Sequence, residues 1–337
     1  MSTPRPTIAD VARQAEVSIA TVSRVLNRPD LVDARTADRV RFAVAKLNYT
    51  PHAAARTLAS RRTDTLGLLL PDIGGEFFQP LLQGVEEGVS EAGFDLLIHA
   101  TRAPHSHGAP RRPLGEHNTD GLLVFTQSLD TQELRRLHQA GFPVVLLHQT
   151  PPKSLDIPVV TIENQSGAQK IAEHLIDIHG CRRIVFLQGP VGHEDSHWRE
   201  LGYRRALKKH GLPFDPALVT NGGFDAHQAQ AAVERLIHQG SVFDAIFCGD
   251  DDSAVGAIQA LRKAGRGIPG DVAVVGFDDS IFAQILTPPL TTVRSPMELV
   301  GREAVRQLIR IIRGEKVEPR LVLPTELIIR RSCGCQT

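Results

Sequence analysis

Residues 7–27 read TIADVARQAEVSIATVSRVLN, and this stretch predicts two short helices joined by a tight turn. Thr7 followed by Asp10 is a capping-box start for the first helix. Ser18 is a suitable N-cap for the second helix. The turn between them, around Glu16, is only about three residues long. The apolar residues recur at helical spacing, at Val11, Ala12, Ala15, Val22, Val25 and Leu26.

The N-terminal region as a whole reads as a small basic head. Asp33 is placed to cap a third helix, in which Ala37, Val40, Val44 and Leu47 recur three and four residues apart. Two helices around a tight turn and a packing helix form a helix-turn-helix arrangement. Residues 1–62 hold 11 of the 38 Lys+Arg and 5 of the 38 Asp+Glu, which leaves 27 basic and 33 acidic residues in the remainder. This charge asymmetry indicates that only the head meets a polyanion.

Length and composition exclude several protein classes. With 337 residues, 42% of them hydrophobic, the chain is expected to fold into two or three domains rather than stay disordered. Without a run of about 18 apolar residues, a transmembrane helix is excluded. The N-terminus lacks the apolar core of a signal peptide, and four cysteines are too few for a disulfide scaffold. We therefore expect a protein of the reduced cytoplasm.

From Leu66 onward, short apolar runs alternate with amphipathic helical patterns. This alternation is typical of parallel sheets covered by helices, and about 270 residues exceed what one sheet needs, so two α/β lobes are expected. The predicted strands are Leu66–Leu70, Asp95–His99, Leu122–Phe125, Val144–Leu147, Val159–Ile162, Ile184–Leu187, Ala245–Cys248 and Val272–Gly276. Residues 101–120, with three prolines and two glycines, are predicted to form a long surface loop.

The head motif, followed by NYTPHAAARTLA, closely resembles the lactose-repressor (LacI) family of bacterial transcription regulators. The resemblance continues through PDIGGEFFQPLLQGVEEG, DSHWRELGYRRAL, AIFCGDDDSAVGAIQAL and DVAVVGFDDS. It implies a helix-turn-helix head over residues 1–50, a hinge helix and linker over 51–64, and an effector-binding and dimerisation body over 65–332. The body would resemble periplasmic binding proteins, with lobe 1 at about 65–162 and 292–330 and lobe 2 at about 163–291.

The second helix of the head is the expected recognition helix, whose first residues face base edges in the major groove. Arg24 is placed to bind guanine in a bidentate manner, whereas Ile19 and Ala20 offer apolar contact. Thr21, Ser23 and Asn27 are better placed to contact phosphates, which position the helix but do not specify the sequence. The alternative for these residues is a merely solvated polar face. The candidate DNA-binding residues of the head are Thr7, Ser18, Ile19, Ala20, Thr21, Ser23, Arg24 and Asn27.

The resemblance also assigns a DNA contact to the hinge. Leu58 matches the family's minor-groove leucine, which would wedge into a base step and bend the duplex, with Arg56 beside it. The alternative is a linker helix that packs Leu58 on the body. Two departures stand out: Glu16 replaces the usual turn glycine at a cost of about 1 kcal/mol, and His52 replaces a common asparagine.

The resemblance places an effector between the two lobes, where sugars are held by aromatic rings and by charged groups that bind paired hydroxyls. Arg199 is the expected fork donor, and Asp278 follows a strand at the end where α/β sheets place ligands. Asp250 is either a ligand or a helix cap, and one phenylalanine of the Phe77–Phe78 pair is expected in the core. The candidates are Phe77, Phe78, His148, Arg199, Phe224, Asp250 and Asp278, with Asp195 and Trp198 as weaker ones.

No cofactor or metal site is predicted. The histidines of the 101–120 loop, His105, His107 and His117, lack a helical HxxxH spacing or a cysteine partner, so a solvated loop is expected. Cys333 and Cys335 in CGCQT would permit a strained disulfide or a metal clip, but we expect an exposed, reduced tail.

Together these features predict a homodimeric DNA-binding regulator, most simply a repressor, that binds a near-palindromic operator and responds to a sugar or sugar derivative. The alternatives are a ligand-binding protein of the periplasmic type without DNA function, and a regulator that responds to a phosphorylated or nitrogenous ligand. Since no metal triad, phosphate-binding glycine loop or nucleophile elbow occurs, an enzyme is not expected. The expected partners are double-stranded operator DNA, the small-molecule effector and a second copy of the chain, with no membrane.

Overall fold

The computed structural model describes residues 6–27, 29–49, 62–101 and 114–336. The chain divides into two compact units, residues 1–63 and 64–337, and each has its own hydrophobic core. Within the described ranges, no helix is long and apolar enough to cross a membrane.

The first unit is a helical head made of α1 (Ile8–Ala15), α2 (Ile19–Asn27) and α3 (Ala34–Leu47). Thr7 and Asp10 cap α1 reciprocally, and Asp33 caps α3, as the sequence predicts. Glu16 ends α1 in the left-handed conformation, with φ 51° and ψ 48°. The core between the helices consists of Val11, Ala12, Ala15, Val22, Val25, Ala37, Val40, Ala43 and Tyr49.

Lobe 1 of the second unit contains β1 (Thr65–Leu70), β2 (Asp95–Ala100), β3 (Gly121–Phe125), β4 (Val144–Leu147), β5 (Val159–Ile162) and β11 (Arg320–Leu323). These strands form one parallel sheet in the order β11-β5-β4-β3-β1-β2. The sheet is flanked by α4 (Phe78–Ala92), α5 (Thr131–Gln139) and α11 (Met297–Ile312). The inner strands β1, β3, β4 and β5 are buried at every position, as expected for a sheet covered on both faces.

Lobe 2 repeats this architecture on a smaller scale. Its strands are β6 (Ile184–Gln188), β7 (Val219–Asn221), β8 (Ala245–Cys248) and β9 (Ala273–Val275), which form a parallel sheet in the order β7-β6-β8-β9. Its helices are α6 (Asn164–Asp177), α7 (Glu194–Lys209), α8 (Ala226–His238), α9 (Asp251–Lys263) and the short α10 (Ile281–Ile285).

The chain crosses between the lobes after β5 and again through β10 (Thr292–Arg294) and β12 (Glu326–Ile328). β10 and β12 pair as an antiparallel ribbon. After this ribbon the chain does not stay in lobe 1: the backbone N–H of Val274 in β9 donates to the carbonyl of Ser332 at 3.0 Å. Residues 329–336, called the tail below, therefore pack on lobe 2.

The fold class predicted from the sequence is confirmed. Each predicted strand is present, with its ends shifted by at most one residue. The strands that sequence reasoning missed, β7, β10, β11 and β12, are three or four residues long. Three of them, β7, β11 and β12, are largely exposed or half-buried and therefore lack the apolar run that marks a strand.

The expectation of an exposed tail is wrong. Cys333 is only 2% exposed and Ser332 is fully buried, while Cys335 is half-buried. The Ser332 hydroxyl donates to the Val274 carbonyl at 2.6 Å and accepts from the Thr291 N–H at 2.8 Å. These bonds satisfy polar groups at the margin of the lobe 2 sheet, and they hold the tail in place.

Candidate DNA-binding surface and effector cleft

The exposed face of α2 carries the residues that the sequence assigns to base contact. Ile19 is 51% exposed although it is large and apolar, and Ala20 and Arg24 are exposed as well. Since successive turns of a helix align residues three or four apart, Ala20 and Arg24 lie on one face. The apolar side chains of Ile19 and Ala20 and the guanidinium of Arg24 therefore do not pack in the core of the head.

The hydroxyls near the helix starts serve first as caps. Ser18 accepts from the Thr21 N–H at 3.1 Å, and the two hydroxyls lie 2.9 Å apart. The hydroxyl of Thr7 donates to Asp10 at 2.7 Å. Ser23 lies on α2 and is half-buried, and Asn27 is the last residue of this helix. Arg56 and Leu58, with the departure at His52, lie outside the described residues.

In the second unit, a continuous hydrogen-bonded chain of buried side chains joins the two lobes. His148, directly after β4, places Nδ1 at 2.8 Å from Asp195 on α7. Asp195 accepts from the Asn164 amide at 2.7 Å, and the Asn164 oxygen accepts from Arg199 Nε at 2.8 Å. Arg199 Nη2 then donates to Asp278 at 3.1 Å. The chain brings together three of the main sequence-predicted effector residues, His148, Arg199 and Asp278, and the weaker candidate Asp195.

Arg199 is the centre of this chain, and it is 2% exposed. Its guanidinium carbon lies 3.8 Å above the Phe277 ring and 5.5 Å from the Phe224 ring, and Nη1 donates to the Gly249 carbonyl at 2.5 Å. A buried cation requires such pairing, because an isolated charge loses several kcal/mol of solvation. Arg199 is therefore a fixed component of the cleft floor rather than a mobile surface side chain.

Three residues with a strained backbone lie at the carboxyl ends of the parallel strands. His148, Phe224 and Asp278 have positive φ values of 54°, 54° and 108°. Such conformations are costly for residues other than glycine and cluster where structure serves a site. Each of these residues follows a parallel strand at its carboxyl end, which is where open α/β sheets bind ligands.

The carboxyl groups of the cleft fall into two electrostatic types. Burial opposes ionisation of Asp195, but the adjacent His148, its hydrogen bond and Arg199 hold the pKa of Asp195 at about 2. Burial raises the pKa of Asp250 to about 7, with a further contribution from Asp278. Burial likewise raises the pKa of Asp278 despite the opposing effect of Arg199. The cleft thus contains one firmly ionised carboxylate and others for which a hydroxyl donor would compensate lost solvation.

Several buried polar atoms around the cleft have no hydrogen-bond partner within the described part of the chain. They include His148 Nε2, His193 Nδ1 and the Ser253 hydroxyl. The His193 ring lies edge-on to Phe224, with centroids 5.1 Å apart. Because buried polar atoms are normally bonded, these atoms retain unmet hydrogen-bonding capacity beside the candidate cleft.

The phenylalanine pair occupies the lobe 1 side. Phe77 and Phe78 pack edge-to-face with centroids 5.1 Å apart, and both pack on Phe125. Phe125 in turn stacks on His148 at 5.2 Å. Phe77 also lines a cavity of about 470 Å³ between the lobes, together with Asp278. Phe77 therefore faces the cavity.

The structure assigns clear capping or structural roles to two of the acidic residues. Asp250 is the N-cap of α9 and accepts from the Ser253 N–H at 3.0 Å. Asp251, the first residue of α9, is 1% exposed. It accepts from the Thr292 hydroxyl and the Ser280 N–H, each at 2.7 Å, and so ties α9 to the second lobe crossing.

Sequence reasoning missed Asn164 and ranked Asp195 low. Asn164 lies two residues after the end of β5, at the first crossing, so the rule that selected Asp278 would also have selected it. Asp195 carries no comparable signal in the sequence, because its partners His148 and Asn164 lie 47 and 31 residues away.

Two family models match the chain. Residues 7–52 match the model of bacterial regulatory proteins of the lacI family, and residues 172–333 match a periplasmic binding protein-like domain. The transcriptional regulator CelR of Thermobifida fusca is 38% identical over 97% of this chain and 98% of its own length. Catabolite control protein A of Priestia megaterium is 32% identical over 97% of this chain and 98% of its own length.

Solved structures of related regulators also match nearly the full length of this chain. A CelR–cellobiose complex is 34% identical, with a TM-score of 0.72, and the match covers 97% of this chain and 100% of that one. The Lac repressor dimer bound to operator and the anti-inducer ONPF has a TM-score of 0.84 at 24% identity, over 98% and 99% of the two chains, which shows the shared fold.

These relatives are transcription regulators and not enzymes, and they do not favour a periplasmic binding protein without DNA function. The helix-turn-helix head and the two-lobed body occur in the same order in this chain. The chain belongs to the LacI family of bacterial regulatory proteins and is a DNA-binding transcription regulator.

Proposed function

We propose that this regulator is a homodimeric repressor that acts on the bacterial nucleoid in the cytoplasm and responds to an uncharged sugar bound between its lobes. The hydrogen-bonded chain from His148 to Asp278 carries this proposal, because it spans both lobes and is flanked by unpaired polar atoms. Sugar hydroxyls both donate and accept hydrogen bonds, so they suit carboxylates and unpaired ring nitrogens alike.

Charge favours an uncharged ligand over a phosphorylated one. Asp195, Asp250, Asp252 and Asp278 are close enough to perturb one another's ionisation or that of a neighbour, whereas Arg199 is already bonded to Asp278. The firmly ionised Asp195 would repel a phosphate dianion, and a dianion has no proton to donate to the other carboxyl groups. The cellobiose in the related CelR complex is an uncharged sugar and supports this choice.

Dimerisation is supported by apolar side chains that lobe 1 and lobe 2 leave exposed. Leu97 and Ile98 are 41% and 45% exposed on β2, which is an edge strand of its sheet. Ile281 and Ile285 on α10 are 48% and 65% exposed. An exposed apolar sheet edge invites pairing with another chain, and two heads would then read the two halves of a near-palindrome.

The effector would act by favouring one arrangement of the lobes. His148 and Phe77 belong to lobe 1, while Asp195 and Arg199 belong to lobe 2. A ligand that bonds to both sides shifts the equilibrium toward the arrangement in which both sets reach it. Operator affinity then changes by the ligand's differential affinity for the two arrangements.

The test starts with DNA selection from sheared genomic fragments by the purified full chain. A shared near-palindrome with half-sites about one helical turn apart is expected, whereas random fragments lost at physiological salt would contradict specific binding. With the selected operator, cellobiose, a disaccharide phosphate and an amino sugar are compared by calorimetry and by operator release. Only the uncharged sugar is expected to bind and to alter operator affinity.

Arg199→Ala is expected to abolish the sugar response while the variant still binds the operator. Arg204→Ala is the matched control, since Arg204 lies on the same helix but points outward to Glu200 and Phe214. Preferential binding of the disaccharide phosphate or the amino sugar would overturn the uncharged-sugar proposal. A normal sugar response in Arg199→Ala would place the effector elsewhere.

A further inference from the structure

A cluster of two histidines and two cysteines lies on lobe 2 where the tail meets α6. His174 is in the last turn of α6, and His179 follows the end of this helix. Cys333 and Cys335 come from the tail. Their ligand-type atoms all lie within 4.8 Å of one another. These four residues, called the tail cluster below, take no part in the effector cleft.

Four distances within the tail cluster match edges of a small tetrahedron, and the remaining two are within 4.8 Å. The two Nε2 atoms of His174 and His179 are 3.3 Å apart. The nitrogen-to-sulfur distances are 3.5 Å from Cys333 to His174, 3.7 Å from Cys335 to His174, and 3.5 Å from Cys335 to His179. Tetrahedral zinc with ordinary bond lengths gives edges of about 3.3 Å between nitrogens and about 3.6 Å between nitrogen and sulfur.

Cys333 is held in place by bonds that do not involve the histidines. Thr291 donates its hydroxyl toward the Cys333 sulfur at 3.1 Å, and the adjacent Ser332 is fixed by two hydrogen bonds to lobe 2. Cys181 and Cys248 are the other free thiols among the described cysteines, and neither belongs to the cluster. Lobe 2 therefore positions Cys333 independently of the two histidines.

Gly334 allows both cysteines to face the histidines. Its φ is +113°, a conformation that side-chain-bearing residues rarely adopt. A Cβ at this position would also lie 3.1 Å from Nδ1 of His179. A larger residue between the cysteines would therefore push the tail away from the His179 ring.

We propose that His174, His179, Cys333 and Cys335 bind one Zn²⁺ ion in a closed tetrahedral site that fastens the tail to α6. Two thiolates and two neutral imidazoles give a zinc centre without net charge, and binding releases the two thiol protons. With four protein ligands there is no open position for a substrate, so the site is structural rather than catalytic. It secures the end of the chain after its last crossing from lobe 1.

The binding test uses untagged, full-length protein that is reduced and stripped with a chelator. Co²⁺ serves as the spectroscopic probe, because thiolate ligation produces charge-transfer absorption and a tetrahedral site produces intense visible bands. The titration is expected to saturate at one Co²⁺ per chain, and Zn²⁺ should displace the cobalt. Zinc should also raise the Tm of the stripped protein.

Cys335→Ser and His179→Gln each remove one ligand and should weaken zinc binding by at least about 100-fold. His238→Gln is the control, since His238 is exposed on lobe 2 outside the cluster. If a variant fails to fold, the comparison of the unsubstituted chain with and without zinc still tests the proposal.

Two results would contradict the proposed zinc site. One is reduced protein that shows no thiolate-to-cobalt absorption and no change in Tm with zinc. The other is metal binding that persists unchanged in both variants. A Cys333–Cys335 disulfide in metal-free protein purified under reducing conditions, detected by mass spectrometry, would likewise contradict the proposal.

Discussion

At the scale of single residues, the effector cleft depends on how its buried carboxylates are compensated. Asp195 is bonded by His148 and Asn164, and its pKa is held at about 2. Asp250 accepts a backbone N–H as a helix cap, but burial raises its pKa to about 7. The two residues therefore respond to pH in opposite ways, although both are acidic and buried in one cleft.

Asp250→Asn should make the protein less sensitive to pH. A carboxyl whose folded pKa is raised contributes stability below its ordinary pKa, and this contribution is lost as pH rises through the folded pKa. For Asp250 the loss falls between pH 3.8 and about 7, and Asn retains the N-cap. Melting curves should therefore show similar Tm values near pH 4 and a more stable variant at pH 8, by on the order of 3 kcal/mol.

Asp225→Asn is the matched control for this measurement, because Asp225 caps α8 through the Gln228 N–H but is more exposed. The gain in stability at pH 8 should be larger in Asp250→Asn than in Asp225→Asn, because Asp250 is the more deeply buried of the two. An Asp250→Asn variant whose stability differs from wild type by the same amount at both pH values would contradict a raised pKa.

Arg24→Ala should relax base selectivity at one position in each half-site. Loss of a bidentate contact to guanine is worth about 1–3 kcal/mol of discrimination, while affinity for unrelated DNA should change little. Competition binding with operators varied at single positions measures this effect. Arg13→Ala is the control, since Arg13 is exposed on α1 and pairs with Asp10; equal selectivity loss in both variants would refute the assignment.

At the scale of elements, the head shows how a helix pair tolerates an unfavourable turn residue. Glu16 adopts φ 51°, where glycine is the preferred residue. Its backbone N–H still donates to the carbonyls of Ala12 and Arg13, so the end of α1 is satisfied despite the side chain. The cost of the left-handed conformation is met by the capping box at Thr7 and by the shared core of the three helices.

Glu16→Gly should stabilise the head by about 1 kcal/mol relative to Glu16→Ala, because only glycine escapes the steric cost of this conformation. Hydrogen–deuterium exchange of the full chain measures the effect locally, as slower exchange in α1 and α2. The body should exchange as in the wild type. Equal exchange in the glycine and alanine variants would show that the turn is not strained.

At the scale of the whole molecule, the exposed apolar side chains on β2 and α10 favour the proposed dimer over a monomer. Two lobes with complete internal cores do not need Leu97, Ile98, Ile281 or Ile285 exposed for their own stability. Their burial would instead reward association of two copies. A dimer also doubles the number of heads on one operator, which raises the effective concentration of the second head.

Ile98→Lys combined with Ile281→Lys should therefore shift the protein toward monomers and weaken operator binding. The physical reason is the cost of burying an unpaired ammonium in an apolar interface. Sedimentation measures the assembly, and the selected operator measures the affinity. Val242→Lys is the control, at a residue that is 68% exposed on lobe 2; unchanged dimers in the double variant would place the interface elsewhere.

The amino-acid sequence by itself determined the head and the order of the main strands. Caps such as Thr7 with Asp10 act within a few residues, and buried parallel strands such as Val144–Leu147 are continuous apolar runs. Both signals are local, so they can be read without the fold. A strand end, which is also a local signal, placed Asp278 among the candidate ligand residues, whereas Arg199 was placed there by the family resemblance.

Tertiary structure alone decided which distant side chains meet. Asp195 joins His148 and Asn164 across 47 and 31 positions, and Cys333 meets His174 across 159 positions. These pairs form because separate strands and helices end at the same edge of a sheet, or because the tail returns to lobe 2 after its last crossing. Contacts of this kind depend on chain topology, for which a single sequence carries no short-range signal.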